Sequence, residues 1–137
     1  TKRIVKTPVL RARKTMVIIH WDKETLMAGK MIACLERIWK KRRDKGITIK
    51  GGDYFDLIWY MQQQVMPFEK KLLKDARVPR NTVQAFAELS KKIAKIKPIE
   101  LTTDLIPLFP EKIFVEEWVK NFKEWFNRYA AFYKTAA

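Results

Sequence analysis

Apolar positions recur at helical spacing through most of the 137-residue chain, and several of the periodic segments open on a residue suited to cap a helix. Asp22 precedes the clearest of them. Met27, Met31, Cys34 and Ile38, with Ala28, Ile32, Leu35 and Trp39 beside them, predict a helix over 23–44 that Gly46 ends. Asp53 is placed to cap a second helix over 54–66, with Phe55, Ile58, Trp59 and Gln62 along one side. Pro67 is acceptable at a first helical position and opens a short helix over 67–76, which Val78-Pro79 closes. Asn81 caps a further helix to about Lys95, with Val83, Phe86, Leu89, Ile93 and Ile96 on its core face. The three prolines within 98–110 read as a connector with one short turn at Thr103 to Ile106, and a last helix runs from 110 or 111 to about 134.

That last helix is the most aromatic part of the chain. Phe114, Trp118, Phe122, Trp125, Tyr129 and Phe132 step by four or three and draw one stripe, which is expected to fill the core. Phe126 and Tyr133 fall off the stripe and are expected to leave aromatic surface exposed.

Residues 1–20 differ from the rest. They show no helical period, Pro8 interrupts them, and Thr15 to Ile19 is rich in β-branched and apolar side chains, so they read as an extended arm ending in a strand-like anchor. The expected fold is therefore all-α, a compact bundle of four or five helices, with 1–20 as a basic extended arm and 21–137 as a single helical domain.

Composition narrows the class. A hydrophobic share of 47% and an aromatic share of 12% are too high for a disordered basic tail. No apolar run approaches the roughly 18 residues of a membrane span. Cys34 is the only cysteine and lies among Ile32, Ala33 and Leu35, which fits a buried thiol in a reducing, intracellular setting. A start at Thr1 and an end at Thr135-Ala136-Ala137 fit a segment cut from a longer protein.

The net charge is +14, and it clusters. Residues 1–20 carry Lys2, Arg3, Lys6, Arg11, Arg13 and Lys14 without an acid, a net +6. Residues 37–50 carry Arg37, Lys40, Lys41, Arg42, Arg43, Lys45 and Lys50 against Asp44 alone, another +6. Cations in the last turn of a helix also complement its dipole, so Lys40 to Arg43 alone are compatible with a solvated helix end. Two independent clusters point instead to a polyanion that relieves their self-repulsion, with nucleic acid, DNA or RNA, as the expected partner. The run Lys40-Lys41-Arg42-Arg43 also fits a nuclear-import signal, which would place a eukaryotic chain in the nucleus.

Catalysis lacks parts. His20 is the only histidine and has no cysteine or acid pair at ligand spacing. The four glycines do not make a phosphate loop, and Asp53/Asp56 and Glu116-Glu117 lie near helix starts, where acids favour the dipole. No catalytic residue, cofactor or metal is expected.

Arg77, Arg80, Asn81 and Gln84 are of the types that read base edges, and with the turn at Val78-Pro79 they loosely suggest a helix-turn-helix pair. The expected contact set is thus Arg11, Arg13, Lys14, Lys40, Lys41, Arg42, Arg43, Lys45 and Lys50, with Arg77 and Arg80. Two rivals use the same features. In one, the aromatic C-terminal helix or the basic patch docks another protein. In the other, the patch lies on anionic lipid, where each cation near the surface contributes about 1 kcal/mol.

Overall fold

A computed structural model describes residues 22–36 and 51–134 with their side chains, and the backbone of 4–11, 14–21, 41–42, 46–47 and 135–136. Among these residues six α-helices form the fold, where four or five were expected: α1 (Lys23–Glu36), α2 (Gly51–Gln62), α3 (Glu69–Lys74), α4 (Thr82–Ala94), α5 (Pro98–Leu105) and α6 (Lys112–Ala136). Ahead of them, β1 (Ile4–Arg11) pairs antiparallel with β2 (Lys14–Trp21), Ile4 opposite Trp21.

α1 begins as its sequence directs, with the Thr25 amide donating to Asp22 Oδ1 at 2.8 Å. It ends earlier than its apolar spacing predicts. β3 (Lys41–Arg42) pairs antiparallel with β4 (Gly46–Ile47), so the helix does not reach 44. The carbonyls of its last described turn take donors from other helices. The Cys34 and Leu35 carbonyls accept from the Lys92 ammonium on α4, and the Tyr54 hydroxyl on α2 reaches Cys34 O at 3.5 Å. Cys34 is fully buried, as expected.

α2 runs antiparallel to α1. Lys23 donates to Gln63 at one end of the pair, and Lys30 meets Asp53 at 3.3 Å and Asp56 at 2.9 Å toward the other. Burial alone would lower the Lys30 pKa, but the Asp56 and Asp53 carboxylates outweigh it and leave it raised. Asp53 is therefore not the cap of α2. The cap comes through space from α5, where the Asp104 carboxylate accepts from the Gly51 amide. A Cβ on Gly51 would lie 3.0 Å from Asp104 Oδ2 and from Leu105 Cγ, so any larger residue here makes those side chains shift by a few tenths of an ångström.

The far end of α2 also departs from its predicted bound at 66. Gln64 takes φ 56°, its amide donates to Met61 O at 2.9 Å, and the Val65 amide donates to Tyr60 O at 3.1 Å. This is a Schellman stop built on glutamine in place of glycine. Pro67 disfavours helical backbone at Met66, and Val65 O is used by the Tyr133 hydroxyl at 2.7 Å, which explains why the chain leaves the helix here.

α4 carries the predicted cap as a reciprocal pair: Asn81 Oδ1 accepts from the Gln84 amide at 2.8 Å and Gln84 Oε1 accepts from the Asn81 amide at 2.9 Å. Its buried face is Thr82, Ala85, Phe86, Leu89 and Ile93, with Val83 exposed against expectation. The connector over 98–110 is in large part a helix. Pro98 stands in its first turn, Leu101 and Leu105 are buried one turn apart, and a short 3-10 turn, Ile106–Leu108, takes up Pro107.

All six helices contribute to one hydrophobic cluster. The α6 face in it is Val115, Trp118, Val119, Phe122, Phe126, Ala130 and Tyr133. Phe126 and Tyr133, expected off the core, are fully buried, and Phe114, expected in it, is 42% exposed.

An acidic clamp fixes the end of α1. Glu36 accepts from the Arg77 amide (2.8 Å), the Val78 amide (3.0 Å) and Arg80 Nη1 (3.0 Å), while Arg80 Nε meets Glu88. Burial would raise the Glu36 pKa, but the two amides and the guanidinium outweigh it and hold the carboxyl low. A carboxyl with a lowered folded pKa stabilises the fold above its ordinary value of 4.5 and loses that contribution as pH falls through the folded value. The urea midpoint should therefore fall below about pH 4.5, and Glu36→Gln should remove part of that fall. An acid profile unchanged in the variant would sink this account of the clamp.

Candidate functional site

Most of the predicted cations lie outside the described residues. Arg13, Lys40, Arg43, Lys45 and Lys50 do so entirely, as do the side chains of Arg11, Lys14, Lys41 and Arg42. The body does show where their segments join it. Residues 1–21 enter at Asp22, ahead of α1, and residues 37–50 leave at Glu36 and return at Gly51. α1 has 14 residues and is about 21 Å long, so the two basic segments attach at opposite ends of one helix.

Within the body, several cations are answered by acids or carbonyls. Lys71 pairs with Asp75 at 3.1 Å, Lys112 with Glu116 at 3.8 Å, and Arg128 with Glu124 at 2.8 Å. Burial lowers the pKa of Lys92 against the α1 carbonyls. Arg80 is only 9% exposed, with Glu36, Glu88 and the Val78 carbonyl as its partners. Asn81 and Gln84 satisfy each other in the cap. Of the four side chains considered for base reading, Arg77 is the exposed cation, and it sits beside the end of α1, where its amide donates to Glu36.

The feature that sequence spacing did not reveal is an aromatic cleft between α2 and α6. The stripe Phe55, Trp59 and Gln62 predicted on α2 faces Phe114, Trp118, Trp125 and Tyr129 of the stripe predicted on α6, around a cavity of about 200 Å³. Each stripe overlaps the edge of the buried face of its helix: Ile58 on α2 and Trp118 and Phe122 on α6 are buried, while Phe55, Trp59, Phe114, Trp125 and Tyr129 lie beside that face. The rings contact one another, with centroids 5.2 Å apart for Phe55 and Trp118 and 6.1 Å for Phe55 and Phe114. Phe109 closes the same corner, 4.8 Å from Phe55. Trp59 is 46% exposed, and the Lys23 ammonium stands 5.5 Å from its ring centroid.

A second cleft, of about 440 Å³, lies between α5 and α6, floored by Pro98, Leu101, Val119 and Phe122 and edged by Lys120 and Lys123. Its polar groups are already engaged in part: Thr102 Oγ1 donates to Pro98 O, and Lys123 to Ala94 O. No group of three or more metal-ligating side chains occurs among the described residues, and no described helix is long and apolar enough to cross a membrane. No family model, curated protein or solved structure matches the chain.

Proposed function

We propose that the chain is a non-catalytic nucleic-acid-binding protein that grips phosphates with its two basic segments. Arg11, Arg13 and Lys14 act from the first; Lys40, Lys41, Arg42, Arg43, Lys45 and Lys50 act from the second, with Arg77 beside it. One observation carries the proposal: each segment holds a net +6 of the total +14, leaving the helical body close to neutral. A chain whose body is nearly balanced in charge and whose excess is concentrated on two segments fits a polyanion ligand better than it fits general solubility. Arg80, Asn81 and Gln84 are left out of the contact set because their partners inside the fold already hold them.

The test is a gel-shift series on duplex DNA, single-stranded DNA and structured RNA at two salt concentrations. Binding at low salt that weakens steeply as salt rises is expected. No binding at low salt, or binding indifferent to salt, ends the proposal.

A protein-docking role is the second reading. It is favoured by Ile99, Leu108 and Ile113, which are 66%, 60% and 75% exposed. A contact anchored on such side chains would change little with ionic strength, which separates it from phosphate binding.

A further inference from the structure

We propose that the cleft between α2 and α6 is a stacking platform for the unpaired bases of single-stranded nucleic acid. This rests on the nucleic-acid reading above and adds the strandedness of the ligand.

Three observations meet at this place. The first is ring surface: Trp59 and Phe114 are 46% and 42% exposed on the two sides of the cleft, with Trp125 and Tyr129 half-buried behind them. Every base has a π-face, so such rings take unpaired bases with little regard to sequence, whereas bases inside a duplex offer no free face. The second is size. At about 200 Å³ the cavity lies below the roughly 300–1,000 Å³ of ordinary small-molecule sites, which suits a planar ring inserted singly.

The third is charge. Lys23 stands over Trp59 at the rim, and the acid-free segment 1–20 enters α1 through Trp21 and Asp22, immediately before that lysine. No acid lines the cleft among the described residues, and Asp56 on α2 is paired with Lys30. A strand whose phosphates follow the basic segment would therefore deliver its bases to the aromatic side of the body. The segment 37–50 returns at Gly51, one turn before Phe55, so it attaches at the other end of the same cleft-forming helix and would supply phosphate contacts there.

The experiment uses the full chain and two probes at one salt concentration, a dT oligonucleotide and a fully paired hairpin of equal charge. Trp59→Ala, at a half-exposed ring, and Phe114→Ala should each weaken dT binding by on the order of ten-fold or more, leave hairpin affinity within about two-fold, and keep the helical circular dichroism of the parent. Trp59→Phe should recover most of the loss. In the unaltered chain, tryptophan fluorescence should be quenched by dT and not by the hairpin, a readout that needs no folded variant. Equal losses on both probes, or no loss on dT and no selective quenching, overturn the platform while phosphate binding stands. If the unaltered chain binds neither probe, both proposals fall, and salt-insensitive binding of a protein partner lost in Trp59→Ala would give the cleft to protein docking.

Discussion

Replacing Phe126 by alanine should destabilise the fold by roughly 3–5 kcal/mol, the usual cost of removing a fully enclosed aromatic ring. The ring is 0% exposed, on the face of α6 that carries Phe122, Ala130 and Tyr133, so the vacated volume opens to no solvent. With total stability of about 5–15 kcal/mol expected for a folded domain, the loss is a large part of the whole. It should lower the thermal midpoint by on the order of 10–20 °C. Phe114→Ala should cost only about 1–2 kcal/mol, since that ring is 42% exposed and gives up partial burial and its contacts with Phe55 and Phe109. Urea unfolding of the two variants checks the order. If Phe114→Ala is the more damaging, α6 turns its aromatic stripe inward after all, and the cleft is not as described.

Spacing locates the helices and part of their buried faces: Ile58, Trp118 and Phe122 are buried as expected, and Phe114 is not. Selecting the largest side chains at steps of four and three drew Phe114, Trp118, Phe122, Trp125, Tyr129 and Phe132 on α6, and Phe55, Ile58, Trp59 and Gln62 on α2. The core selected a face with smaller members, Val115, Val119 and Ala130, because close approach of α4 and α5 rewards fit as well as area. Both aromatic stripes were legible. That they face each other was not, since it depends on how two helices more than fifty residues apart are placed.

Local signals otherwise carried well. The Asp22 and Asn81 caps lie within three residues of their partners and are readable as such, whereas Gln84, grouped by type with base-reading side chains, closes the Asn81 cap instead. What failed was long-range. Asp104 caps α2 from a position 53 residues away, Arg80 reaches back 44 residues to Glu36, and the end of α1 takes donors from Lys92 and Tyr54. α5 was hidden by its prolines, although Pro98 stands where proline is tolerated and Pro107 falls beyond the helix. Of the binding determinants, clustering was legible from charge alone, and Arg80 left the set only once its two carboxylate partners were in view.

Replacing Lys40, Lys41, Arg42 and Arg43 together by glutamine should leave the fold intact and change how binding depends on salt. The four residues lie in sequence between Glu36 and Gly51, and glutamine keeps each side chain long and polar, so the exchange removes charge alone. If each contacts one phosphate, the magnitude of the slope of log affinity against log salt on duplex DNA should fall by up to about 3–4, at roughly 0.9 per contact. Over a four-fold rise in salt, the unaltered chain should then lose on the order of a hundred times more affinity than the variant does. Preference among duplex sequences should stay the same, because phosphate contacts position a protein without reading bases. The aromatic cleft should be untouched, so dT should still quench tryptophan fluorescence in the variant while the hairpin does not. A folded variant with unchanged affinity and salt slope would make the run a solvated segment, and would move the case for function from the basic segments to the exposed apolar surface around Leu108, Ile113 and Phe114.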